Sequence, residues 1–156
     1  MVLSDIICSY TSEEQPKKKS IFGRILIYPD HTFEGIGEEA KNPWKYFLYG
    51  KLGEDSIEVV KTHPGIKSNL YRGTKNGKDY VGDYSTINSV EETRVGDGLI
   101  QLFDPEKIRE VTEGEILNLQ LEIEFRRDQM NRDNQDLYRQ MMTPGEEPKE
   151  KINTQN

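Results

Sequence analysis

The sequence predicts an all-β protein: an antiparallel up-and-down barrel of about eight strands, with a short N-terminal segment and a helical, then disordered, C-terminal tail. Between residues 20 and 126, apolar and polar residues alternate with a period of two, as in strands that have one face on a core. Short turn sequences separate the alternating segments. Because parallel pairing would need longer crossover connections, the sheet should be antiparallel.

Composition divides the chain into three parts. Residues 1–19 form an N-terminal segment and linker, residues 20–126 the barrel domain, and residues 127–156 a polar tail. The apolar side chains within 1–10 fit one face of a helix or of a strand, so the structure and role of this stretch stay open. The stretch 11–19 is polar and contains a proline, which favours a linker.

The first four strands follow from alternation that is interrupted by turn residues. They are predicted over 21–28, 32–38, 44–52 and 56–61. Pro29 presets the first dihedral of the turn between the first two, and Asp30 tolerates the second. The third and fourth are separated by Gly53-Glu54-Asp55, so each connection is short enough for an antiparallel hairpin.

A hairpin between residues 69 and 86 supplies two more strands. Asn76-Gly77 is typical of the two central positions of a type I′ turn, because both need a positive φ. The resulting register places three tyrosines on one face, two of them opposite glycines: Tyr71 opposite Gly82, Tyr80 opposite Gly73, and Tyr84. Glycines that recur in consecutive strands indicate a bent sheet, as barrel closure requires.

Residues 98–103 are predicted as a seventh strand, and residues 117–126 as the last and most regular one. In that last segment the apolar face is formed by Leu117, Leu119, Leu121, Ile123 and Phe125. The tail then carries a weak helical stripe at Leu137, Tyr138, Met141 and Met142. The stripe could dock on the barrel, bind a partner or remain loose, with docking or looseness favoured, and the residues after it should be disordered.

Charge and composition exclude several classes of function. The net charge of −7 makes nucleic acid an unfavourable partner, and no apolar run is long enough to cross a membrane. The single cysteine, Cys8, is expected to be a buried apolar side chain of a cytoplasmic protein, since one thiol builds no disulfide framework. His31 and His63 lack patterned partners, so no metal and no other cofactor is predicted.

In strand count and meander order, residues 20–126 resemble the calycin-type barrels, the lipocalin and avidin families. Where lipocalins carry Gly-x-Trp in the first strand, this chain has Phe22-Gly23-Arg24, and its only tryptophan is Trp44. The resemblance therefore implies a fold and the habit of holding a ligand in the barrel, and it supplies no binding residues.

The candidate ligand-binding residues are aromatic side chains expected to point into the barrel: Trp44, Tyr46, Tyr71, Tyr80 and Tyr84. Tyrosine hydroxyls in an apolar cavity suit a small apolar or mixed-polarity ligand. Packing of the same rings as a solid core is the alternative, and the sequence favours it. The candidate partner-binding residues are Phe47 and Tyr49, expected as exposed aromatics, together with Leu137, Tyr138 and Met141.

Three functions compete at this point. The first is a non-enzymatic barrel that binds a small molecule of unknown identity. The second is a protein–protein interaction module whose barrel is filled. The third, an enzyme, has the least support, because no acid, base and nucleophile can be grouped from the sequence.

Overall fold

The computed structural model describes residues 1–143 and shows a closed antiparallel barrel in which eight strands pair in sequence order and the last pairs with the first. The strands are β1 (Val2–Ser12), β2 (Lys19–Ile27), β3 (Thr32–Glu39), β4 (Lys45–Leu52), β5 (Ser56–Thr62), β6 (Ser68–Asn76), β7 (Asp79–Ile87) and β8 (Glu92–Phe103). A short 3-10 turn at Pro105–Lys107 leads to helices α1 (Glu113–Asp128) and α2 (Arg132–Met141). The fold class predicted from the sequence is confirmed, although the elements that make up the eight strands differ.

The N-terminal segment is part of the barrel. Residues 2–12 form β1, which pairs with β2 on one side and closes the barrel against β8 on the other. The strands of the barrel therefore span residues 2–103. The predicted seventh strand at 98–103 is the second half of β8, which begins at Glu92. The predicted disorder lies largely at 144–156, outside the described residues.

The strand predicted over residues 117–126 is wrong: these residues lie within helix α1. The local signal is an N-cap, in which the Thr112 hydroxyl oxygen accepts a hydrogen bond from the backbone N–H of Glu115 at 3.1 Å. Glu113 and Glu115 add negative charge to the first turn, and Arg126 and Arg127 add positive charge to the last, as the helix dipole favours. Most of the polar residues between these two ends of α1 are good helix formers. Their alternation with apolar residues nevertheless has the period of a strand.

The β6–β7 hairpin has a register two residues away from the predicted one. Its two central residues are Gly77 and Lys78, because Asn76 pairs with Asp79. Gly77 alone takes a positive φ, of 65°, which is the pattern of a type II′ turn with glycine at the first central position. Tyr71 therefore pairs with Tyr84 rather than with a glycine. Aromatic cover of a glycine occurs instead between β3 and β4, where Phe33 pairs with Gly50.

Two apolar cores share the sheet. The inner core fills the barrel, with side chains from all eight strands. The outer core lies between the barrel wall and the two helices, which cover outward-facing residues of β1 to β6. An eight-stranded barrel is just wide enough for side chains to fill its interior, so the helices provide a second layer for the residues that face outward.

A buried carboxylate ties the helices to the barrel wall. Glu34 on the outer face of β3 is 3% exposed. It accepts hydrogen bonds from the hydroxyls of Tyr28 at 2.7 Å and Tyr138 at 2.6 Å, and from Arg127 Nε at 2.9 Å and Nη2 at 2.7 Å. Arg127 lies in α1 and Tyr138 in α2, so one side chain of the barrel holds both helices.

Candidate functional site

Four of the five predicted ligand-binding residues lie inside the barrel. Tyr46, Tyr71, Tyr80 and Tyr84 are buried, each 7% exposed or less. Tyr46, Tyr71 and Tyr84 gather near one end of the barrel, and Tyr80 lies near the β6–β7 turn at the other. Trp44 is not in the interior: it is 45% exposed at the rim, where its ring stacks on that of His63 with centroids 5.0 Å apart.

A buried lysine that was not among the predicted site residues forms the centre of the tyrosine-lined end. Lys61 is 6% exposed, and its ammonium lies 5.0 Å from the ring centroid of Tyr46 and 5.7 Å from that of Tyr84. Tyr10 and Tyr71 lie at 5.9 and 6.0 Å. The signal was present in the sequence, because residue 61 continues the inward-facing series that Ile57 and Val59 begin in β5.

The only carboxylate paired with Lys61 among the described residues is that of Glu39, whose Oε1 lies 3.5 Å from the ammonium nitrogen. Burial lowers the pKa of Lys61, and the charge of Glu39 partly offsets this effect. Burial also raises the pKa of the nearby Cys8 thiol to about 12. Cys8 is therefore a protonated apolar side chain and not a nucleophile, as the sequence indicated.

Ring contacts fill the space around this ion pair. The rings of Tyr10 and Tyr84 stack with centroids 3.9 Å apart, and Tyr71 lies 4.8 Å from Tyr84. Burial raises the pKa values of Tyr71 and Tyr84, so both hydroxyls stay protonated. Within residues 1–143, the prominent clefts open on the outside of the barrel. The inward-facing side chains form one buried apolar cluster with the Lys61–Glu39 ion pair at one end.

The five predicted partner-binding residues lie together, but in the protein's own outer core. Phe47 and Tyr49 were expected to be exposed and are 2% and 0% exposed, because the helices cover them. The ring of Tyr138 lies 5.1 Å from Tyr49 and 6.1 Å from Phe47. Leu137 and Met141 are buried in the same cluster, so the tail stripe docks on the barrel.

An outer cleft of about 960 Å³ lies between one side of α1 and the residues of β1 to β4 and β8 that it faces. We call it the sheet–helix groove. Phe22 and Phe103 line it and are 51% and 46% exposed, and Ile7 pairs directly with Phe22. Ion pairs join the sheet to the helix across the groove, with Arg24 Nη1 2.9 Å from Glu115 Oε2 and a second pair between Lys45 and Glu122 at 2.8 Å.

Helix α1 carries apolar residues on two opposite sides. Leu119 and Ile123 face the barrel and are 8% and 1% exposed. Leu117, Leu121 and Phe125, spaced four residues apart, are 55%, 57% and 56% exposed. Because residues four apart lie above one another on a helix, these three form a continuous outer stripe, which we call the α1 crest.

Residues 1–143 contain neither a metal-binding cluster nor a membrane-spanning helix. Residues 1–143 contain no group of three or more His, Cys, Asp or Glu side chains placed to hold a metal ion. No helix of this part is long and apolar enough to span a membrane. His31 lies in the β2–β3 turn with a φ of 70°, and His63 packs against Trp44 and Tyr46 at the barrel rim.

Comparison with known proteins does not assign the chain to a family. No protein-family model, curated protein or solved structure matches it significantly. The calycin resemblance therefore extends to the barrel architecture, and the functional argument depends on the surface and interior of this molecule alone.

Proposed function

We propose that this protein is a non-enzymatic protein-binding module, in which a filled barrel serves as scaffold and the sheet–helix groove receives a polypeptide partner. The observation that carries the proposal is the combination of a packed interior with an outer groove walled by exposed aromatic rings. Large apolar side chains are normally buried in soluble domains, and a contiguous exposed group of them marks an interaction site.

The dimensions and chemistry of the groove support this proposal. Its volume of about 960 Å³ lies at the upper end of the roughly 300–1,000 Å³ range of ligand sites, and it is partly open to solvent. Aromatic side chains such as Phe22 and Phe103 supply contact area at small conformational cost, and they are enriched among residues that dominate binding energy. The charged pairs at the helix side would form a polar rim.

A small-molecule ligand inside the barrel is the second candidate. It is favoured by the ion pair of Lys61 and Glu39 among tyrosine rings at one barrel end, where a ligand carboxylate could replace Glu39. Such a ligand would have to displace stacked rings that are now in contact. Native mass spectrometry tests this candidate, since a bound molecule adds a discrete mass that denaturation removes.

Site-specific photocrosslinking in the protein's own cells tests the proposed module. A photoreactive phenylalanine analogue at Phe22 or Phe103 should capture a discrete protein partner. The same analogue at Val81, which is 44% exposed outside the groove, is the matched control. Equal labelling at all three positions, or no protein adduct at Phe22 and Phe103, would refute the proposal.

A further inference from the structure

The α1 crest has a charge pattern that restricts its partner. The side chains that α1 exposes to solvent are the three apolar residues of the crest, Asn118, and the acidic residues Glu113, Glu124 and Asp128. The two basic residues of the helix are half-buried: Arg127 binds Glu34, and the guanidinium of Arg126 lies 5.5 Å from the Phe125 ring centroid. The exposed face of α1 is therefore an apolar stripe with acidic flanks.

From this pattern, and resting on the proposed function, we infer that the partner is an amphipathic helix whose apolar residues lie along the α1 crest and whose flanking residues are lysine or arginine. Apolar residues at helical spacing pack between the ridges of a facing helix, and flanking charges of opposite sign select the partner. The net charge of −7 would also accelerate the approach of a basic segment.

Charge argues against a second copy of this chain as the occupant. A two-fold antiparallel pairing of α1 about Leu121 would place Phe125 of one copy near Leu117 of the other, which suits apolar packing. The same pairing would bring Glu113 near Asp128 of the other copy, and the exposed face supplies no cation to separate them. Like charges brought together at an interface are unfavourable, whereas a basic helix meets the same flanks with opposite charge.

The crest and the sheet–helix groove are adjacent, so one partner can use both. Asn118 lines the groove, and the crest lies next to Asn118 around the helix axis. A helix set beside α1 would contact Leu121 and Phe125 with one side and Phe22 with another. This placement gives the proposed partner two apolar contacts, with the acidic residues of the exposed face of α1 beside the crest.

The test uses the full chain and a labelled amphipathic helical peptide composed of leucine and lysine, with fluorescence anisotropy as the readout. We expect it to bind at least about tenfold more tightly than the same peptide with glutamate in place of lysine, and than one with serine in place of leucine. The double variant L121S/F125S should weaken binding about tenfold, and V81S should leave it unchanged.

Matched charge variants separate local recognition from the overall charge of the molecule. E124K/D128K should abolish the preference for the lysine peptide. E13K/E14K changes the net charge equally on the exposed β1–β2 connection and should retain most of that preference. Thermal unfolding confirms that each variant is folded, which the exposure of all these side chains favours.

Several outcomes would overturn the inference. Equal binding of the lysine and glutamate peptides would do so, as would no binding of either. Sedimentation showing a dimer that L121S/F125S dissociates would identify a second copy as the occupant, and binding to zwitterionic lipid vesicles that the same variant abolishes would identify a lipid surface. If the peptides fail while crosslinking at Phe22 still captures a protein, the basic helix is refuted and the proposed function stands.

Discussion

Replacing Glu34 with glutamine should destabilise the protein by detaching its helices. The carboxylate accepts four hydrogen bonds, two of them from the Arg127 guanidinium, and it is 3% exposed. Breaking one partner of a buried pair typically costs about 3–5 kcal/mol. Because the Arg127 side chain is 36% exposed, water can solvate it once the carboxylate is gone. We therefore expect a loss of about 2–3 kcal/mol for Glu34→Gln.

Urea unfolding measures this loss. For a domain of this size the unfolding midpoint should fall by about 1 M urea. The control is Glu58→Gln, which breaks the Arg72–Glu58 ion pair on the barrel surface, where the side chains are 46% and 20% exposed. Exposed pairs contribute about 0–1 kcal/mol, so its midpoint should barely change. Equal effects of the two substitutions would show that Glu34 does not hold the helices.

Two further observables identify the mechanism. Amide hydrogen exchange should show that α2 loses protection in the Glu34 variant before the barrel strands do.

Burial alone would raise the pKa of Glu34, but hydrogen bonds from Arg127, Tyr138 and Tyr28 outweigh it, and the net pKa is below 4.5. A lowered pKa stabilises the folded state above about pH 4.5, and this contribution is lost as the pH falls through the folded-state pKa. The variant should lack that acid-dependent loss.

Three other perturbations test the interior and one turn. The Cys8 thiol, with a pKa of about 12 and no exposure, should react with Ellman's reagent at pH 8 only as fast as the protein unfolds; rapid labelling would show an open barrel. Gly77→Ala should cost about 1–2 kcal/mol in urea unfolding because of its φ of 65°, whereas Gly114→Ala in the first turn of α1 should be neutral or stabilising. Lys61→Met should destabilise the protein because the Glu39 carboxylate loses its buried partner and keeps only Lys19, and the double variant with Glu39→Gln should recover at least about 1 kcal/mol; no recovery would show that the Lys61 and Glu39 charges are not coupled.

The barrel was predictable because alternation and short turns are local properties of strands. The boundaries of β2 to β5 agree with the predicted strands to within a residue or two. The β6–β7 register was wrong because glycine at position 77 satisfies two turn types, and tertiary pairing of Tyr71 with Tyr84 selects between them. Residues 2–12 were ambiguous because their apolar spacing fits a helix and a strand, and only closure against β8 decides.

The candidate sites were less predictable, because sequence gives the face of a residue and not what covers that face. Tyr46, Tyr71 and Tyr84 were correctly assigned to the interior, while Phe47 and Tyr49 were correctly assigned to the opposite face and wrongly expected to be exposed. The helices that cover this face come from the far end of the chain. Their docking depends on contacts such as that of Tyr138 with Glu34, which no local pattern encodes.

The wrongly predicted strand at 117–126 and the exposed α1 crest have the same cause in the sequence. In a strand, apolar residues spaced by two share one face, so the series from Leu117 to Phe125 predicted a half-buried strand. In a helix, residues two apart lie on nearly opposite sides, which divides the same series into a buried row at Leu119 and Ile123 and an exposed row, the α1 crest. Packing against the barrel requires only the buried row. The exposed row contributes nothing to that packing, and we propose that a partner buries it.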